Sequence, residues 1–202
     1  GATSGFVHMR ELYGASYDQR LGYLPTPRLV LTWAISGLGI DPSRFNFIDI
    51  GSGRGRAVLH AARLPFARAI GLELSGKLSQ EAEANLAAYP KSKLKCADVE
   101  MICGDAAEFE LPDGDCIAYF FNPFRAELTA KVMSGFVRQS IDKGQRLIIV
   151  YHNPVCLDVV EAMPELRPRK LKGLQRMLLR LFSPYPVRVF ELDPALVCGK
   201  AR

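Results

Sequence analysis

The chain has 202 residues, 49% of them hydrophobic and 23% charged, with a mean hydropathy of +0.05. That is enough chain for one sizeable core with an ordinary globular composition, and it excludes collagen-like, disordered and disulfide-scaffold classes. The formal net charge of +5 is local: residues 161–202 hold nine Lys/Arg against four Asp/Glu, and residues 1–160 are balanced. Residues 29–40, the longest apolar stretch, include Thr32, Ser36 and two glycines and fall short of the roughly 18 to 20 residues of a membrane span, so no transmembrane segment is expected. Residues 1–5 carry no basic stretch leading into an apolar core, so no secretory signal is expected. Cysteines at 96, 103, 116, 156 and 198 show no Cys-x-x-Cys spacing, which points to reduced thiols, a cytoplasmic location and no metal site.

Taken in chain order, Tyr13, Tyr17 and Tyr23 precede Pro25-Thr26-Pro27 and an apolar helix that runs to about Leu38. Residues 1–44 are too few to hold their own core and read as an N-terminal helical lid on a single domain whose Rossmann-like core spans 45–202. Residues 45–50 read as a strand stopped by glycines, 56–64 as a helix stopped by Pro65, and 69–73 as a second strand. Ser75 is the expected N-cap of a helix reaching Tyr89, followed by strands at 99–103 and 116–121, a helix at 125–141, a strand at 146–151 and a helix at 155–163. The central strands are continuous apolar runs, as when both faces of a parallel sheet are covered. The pattern is that of a three-layer α/β/α, doubly wound sheet. Residues 187–192 and 196–198 are separated by only Asp193-Pro194-Ala195, too few for a parallel crossover, and are expected to form an antiparallel hairpin.

The first strand runs into Asp49-Ile50-Gly51-Ser52-Gly53-Arg54-Gly55 and then a helix. Glycines here let the backbone turn sharply and let a ligand approach the amides at the helix start. The spacing is neither the dinucleotide Gly-x-Gly-x-x-Gly nor a phosphate-binding P-loop. Asp49 beside the loop disfavours a pyrophosphate, and with it a nicotinamide-dependent reductase, but suits an ammonium group. S-adenosylmethionine carries an ammonium and a sulfonium and no phosphate. Glu73 closes the second strand, where a carboxylate can accept both ribose hydroxyls, and Asp105, in Gly104-Asp105-Ala106 after the third, can accept from the adenine amino group. Acids at three successive strand ends face one crevice.

Asp-x-Gly-x-Gly-x-Gly, an acid closing the second strand, Gly-Asp-Ala after the third and a closing antiparallel strand resemble the class I S-adenosylmethionine-dependent methyltransferases over residues 44–202. The resemblance implies a seven-stranded, mostly parallel sheet with an antiparallel last strand. It implies S-adenosylmethionine as cofactor, held by Asp49, Gly51, Gly53, Gly55, Glu73, Asp105 and Ala106. It also implies that the fourth strand end, Phe121-Asn122-Pro123-Phe124, presents the acceptor. In the family's amino-methylating members that position often reads Asn/Asp-Pro-Pro-aromatic, so Asn122, Pro123 and Phe124 are the candidate catalytic residues and a nitrogen acceptor is favoured. This chain has one proline there, not two. The sulfonium donor is already activated, so alignment supplies most of the catalysis and Asn122 acts by hydrogen bonding. The other reading on this fold is a non-catalytic S-adenosylmethionine-binding or interaction module.

Two features stand outside the cofactor motifs. His152, in Tyr151-His152-Asn153-Pro154 at the fifth strand end, is a candidate base for a hydroxyl acceptor. Arg167, Arg169, Lys170, Lys172, Arg176 and Arg180 are interleaved with leucines at helical spacing, which predicts a helix docked by its apolar face with its cations in solvent. The acceptor is then a small molecule or a protein, with nucleic acid an acceptor to be tested by salt dependence.

Overall fold

Four apolar runs without polar alternation lie side by side at the centre of the fold, which the computed structural model describes over residues 28–198. β1 (Phe45–Ile50) and β5 (Leu147–His152) are buried along their whole length, and β2 (Arg68–Glu73) and β4 (Asp115–Phe121) over most of theirs. Such strands have no solvent face to mark with polar residues. With β3 (Val99–Cys103), β6 (Leu166–Pro168) and β7 (Val187–Leu192) they form one sheet in the order β3-β2-β1-β4-β5-β7-β6. β1 to β5 pair in parallel, and β7 runs antiparallel between β5 and β6.

Helices cover both faces. α1 (Arg28–Leu38), α2 (Arg56–Ala61), α3 (Gly76–Ala87) and α6 (Gly173–Phe182) pack on one side around Phe47, Val58, Tyr119 and Val150. α4 (Ala126–Lys143) and α5 (Leu157–Glu161) pack on the other around Ile48, Phe120, Phe136 and Tyr151. This is the expected three-layer architecture, and no described helix is long and apolar enough to cross a membrane.

Three expectations are corrected. Residues 196–198 are not a strand: Pro194–Cys198 is a short helix, α7, because Asp193 Oδ1 accepts the Ala195 N–H at 3.0 Å and Pro194 is preorganised for the first helical position. The partners of β7 are instead β5 and the three-residue β6. The described part of the expected lid is a helix of the sandwich. Val30, Leu31, Ala34, Ile35 and Leu38 of α1 are buried in the core, against α2 and α6. Tyr13, Tyr17, Tyr23 and Pro25-Thr26-Pro27 lie outside the described residues. Finally, α6 does not dock by the apolar stripe its sequence displays. Leu174, Met177 and Leu181 remain exposed, while Leu179 is buried and Phe182 lies 6.2 Å from Trp33.

Candidate active site

Where the strand order reverses, between β1 and β4, the carboxyl ends of neighbouring strands diverge and leave a crevice. The loop leaving β1 is clamped from below: the Gly51 and Ser52 N–H groups both donate to the Leu72 carbonyl, at 2.9 and 3.0 Å. Gly51 has φ +77°, and a Cβ there would stand 2.8 Å from Pro123 Cβ, so the end of β4 rests on the bare backbone of the loop. Gly55, at φ +75°, is pressed as closely by the Met101 methyl. Arg54 is drawn to Glu81 of α3 at 2.6 Å, and Asn85 donates to the Arg54 carbonyl at 3.2 Å.

Glu73 lies at the predicted strand end, but its carboxylate is buried and already engaged. Oε2 accepts the Gly53 N–H and Oε1 the Ser75 N–H, both at 2.9 Å. The acid thus ties the glycine loop to the second strand, a role its sequence position does not announce.

Asp49 is 4% exposed and has no hydrogen-bond partner among the described residues. Burial, with the Glu73 charge adding to it, pushes its carboxyl up to about 8. Such a group is held ionised only by a cation brought to it. A buried carboxylate accepts what an ammonium-bearing ligand donates, so the residues fit S-adenosylmethionine. Asp105 sits at the end of β3 with Oδ1 on the Ala107 N–H at 3.0 Å, and Ala106 beside it is buried.

At the end of β4, Asn122 has φ +45° and Asn153, at the end of β5, φ +52°. Both precede a proline, which favours extended backbone, so both are strained turns held by their surroundings. Asn122 Oδ1 is buried with no partner. The ring of Phe124 corrects an expectation: it is 4% exposed and belongs to the core beneath α4, so it cannot flank an acceptor. The aromatic side chain beside Asn122 is Phe121, whose ring stacks on His152 at 4.0 Å and 13°. His152 is fully buried, with Nδ1 2.9 Å from the Tyr119 hydroxyl and Nε2 unpartnered. Burial holds its imidazolium down to about 4. Tyr185, which no sequence motif marks, closes this corner, 5.9 Å from Phe121 and 6.1 Å from His152.

A family model described as a methyltransferase domain matches residues 48–123, the span from β1 to the Asn122-Pro123 turn. No curated protein matches in sequence. Among solved structures, an RNA methyltransferase from Salinibacter ruber, in complex with S-adenosyl-L-homocysteine, has a TM-score of 0.53 at 20% identity, covering 84% of this chain and 92% of that one. A putative methyltransferase from Escherichia coli gives 0.53 at 19%, covering 83% and 87%. A magnesium protoporphyrin IX methyltransferase from Synechocystis, with bound S-adenosylmethionine, gives 0.52 at 15%, covering 81% and 77%.

Proposed function

We propose that this chain, matched by a methyltransferase-domain model over residues 48–123 and sharing its fold with solved methyltransferases, is a class I S-adenosylmethionine-dependent methyltransferase that methylates a nitrogen acceptor seated at Asn122. The cofactor, when bound, supplies a methyl group already activated on a sulfonium. The chain's own contribution is position. Asp49 meets the positive end of the ligand, and the Gly51–Gly55 backbone, clamped by Leu72 and Glu73, gives it a rigid floor. Asp105 lies where the adenine edge would reach.

The observation that carries the acceptor reading is Asn122 Oδ1, a buried carbonyl oxygen without a partner, on a strained turn whose next residue is wedged on the cofactor loop. An orphaned acceptor oxygen is complemented by an N–H donor, and holding the acceptor nitrogen by that N–H would align its lone pair with the methyl–sulfur bond, so that the N–C bond forms as the C–S bond breaks and the thioether leaves. The fold admits acceptors as different as those named for its structural relatives, so the polar group at the β4 end, and not the sheet, selects among them.

The test is calorimetry with S-adenosylhomocysteine together with transfer of labelled methyl to fractionated cell extract. Asn122→Ala is expected to bind S-adenosylhomocysteine as the wild type does and to lose about 10²-fold in transfer. Labelled product that is stable to base but sensitive to the Asn122 change supports an N-methyl product; base-labile methyl ester, or unchanged transfer by the variant, overturns the assignment.

A further inference from the structure

Beside the site, between α6 and the strands β6 and β7, runs a groove of about 750 Å³. Five cations line it, Arg169, Lys170, Arg176, Arg180 and Arg188, against one carboxylate, Glu161. They are not equivalent. Arg169 is bound to Glu191 at 2.6 Å and to the Leu38 carbonyl at 2.7 Å, and so belongs to the scaffold. Along β7, Val187 and Val189 pack into the core under α6, while Arg188 between them is exposed at the groove and carries no ion pair among the described residues. Lys170, Arg176 and Arg180 are exposed and carry no ion pair among the described residues. Arg176 and Arg180 stand one helical turn apart, on the same side of α6 as the groove residues Leu179 and Ser183.

The groove has a direction. Its wall continues through Pro184, Tyr185 and Pro186 to Val187, which pairs with His152 at the carboxyl end of β5. His152 pairs in turn with Phe121, the residue before Asn122. A ligand lying along the cations therefore leads, at one end, to an exposed tyrosine and to the half-buried Phe121 ring beside the strand end that faces the acceptor.

We propose that this groove holds the sugar-phosphate backbone of a single-stranded nucleic acid, whose acceptor base stacks on Tyr185 to reach Asn122. Unpaired cations along a concave wall suit a chain of phosphates. An exposed aromatic ring at the end of that wall is the stacking platform that single strands use, and a target base must leave its stack to be reached. A membrane surface would need the cations on a convex face together with an apolar one. The exposed apolar residues of α6, Leu174, Met177 and Leu181, are centred about 110° around the helix from Arg176 and Arg180, outside the concave wall that the cations line. This inference rests on the methyltransferase reading for its acceptor, but its binding step is measured without the cofactor.

The experiment is fluorescence anisotropy of a labelled 20-nucleotide single-stranded RNA of mixed sequence, titrated with the full chain from about 20 to 300 mM NaCl. Three phosphate contacts predict a slope of log K against log salt of about −2. The threefold change Lys170→Gln, Arg176→Gln, Arg180→Gln, which leaves Arg188, is expected to reduce that slope to about −0.7 or less and weaken binding at least tenfold at low salt. Changing the exposed Lys91, Lys93 and Lys95 to Gln is expected to leave both unchanged. Tyr185→Ala is expected to weaken binding about tenfold with the slope intact. No binding by the wild type at low salt overturns the proposal. So does an equal effect of the two threefold variants, or tighter binding to a DNA duplex, phosphatidylserine vesicles or a polyglutamate peptide than to the single strand. Calorimetry with S-adenosylhomocysteine on the same samples separates the two claims. If it binds the wild type and the groove variant alike while RNA does not bind, only the groove assignment is lost; if it binds neither, the cofactor reading fails on its own account.

Discussion

The carboxylate of Glu73 takes the backbone N–H of Gly53 at 2.9 Å, across twenty residues of chain, and with its other oxygen takes Ser75. One buried side chain therefore sets both the glycine loop over β1 and the start of α3. Removing it strands two buried donors, at about 3 kcal/mol. Glu73→Ala is expected to lower the unfolding free energy by that amount, read as a lower denaturant midpoint, and to weaken S-adenosylhomocysteine binding by more than tenfold. Glu73→Gln, which keeps the acceptor oxygen for one donor, is expected to recover part of both. Calorimetry and urea melts on the pair decide it; an Ala variant as stable as the wild type shows that the clamp is not formed.

Asp49 makes stability depend on pH with a defined sign. Its carboxyl is raised by burial first and Glu73 second, to about 8, from an ordinary value of 3.8. Its contribution is present below pH 4 and is lost as pH rises through 8, because the unfolded chain ionises where the folded one resists. Asp49→Asn is expected to gain stability on the wild type progressively between pH 4 and 8 and no further above 8. The α-ammonium of S-adenosylhomocysteine, which is a thioether and carries no sulfonium, reverses the balance locally, so the affinity of the wild type rises over the same window while that of the Asn variant stays low and flat. Urea melts and calorimetry at pH 5, 7 and 9 measure both.

Gly51→Ala tests the contact between the two loops. The left-handed backbone costs about 1–2 kcal/mol for a residue with a Cβ, and the added carbon meets Pro123. Displacing Pro123 moves Asn122, so the expected loss in methyl transfer exceeds the loss in cofactor affinity. A variant in which both fall by the same factor refutes the coupling.

His152 is held neutral by burial, with its imidazolium down at about 4 against an ordinary 6.5. Its stabilising contribution is complete above pH 6.5 and is lost as pH falls toward 4. Tyr119→Phe leaves Nδ1 without its partner and is expected to cost about 1–2 kcal/mol. As a base with that value His152 is already deprotonated at neutrality, so methyl transfer is expected to show no inflection between pH 6 and 8 from this group; an inflection abolished by His152→Gln would assign it a catalytic proton.

The sequence by itself determined the sheet and the position of the cofactor acids. A strand covered on both faces is mostly apolar, so β1, β2, β4 and β5 announce themselves even with Asn46 and Asp49 buried in β1, and the glycines after β1 mark a place where the backbone turns under a ligand. Tertiary structure decided what those residues touch. That Glu73 reaches Gly53, that Tyr119 meets His152, and that Tyr185 comes to rest beside Phe121 depends on elements meeting across gaps of 20 to 64 residues, which no local pattern encodes. The burial of Phe124 and the docking of α6 follow the same principle: an aromatic after a strand end and an apolar stripe on a helix state what could be buried, and only the space left by the neighbouring elements settles what is. Asp193-Pro194-Ala195 was a cap signal in plain view, overridden in the reading by the strand propensity of the leucine and valine that follow.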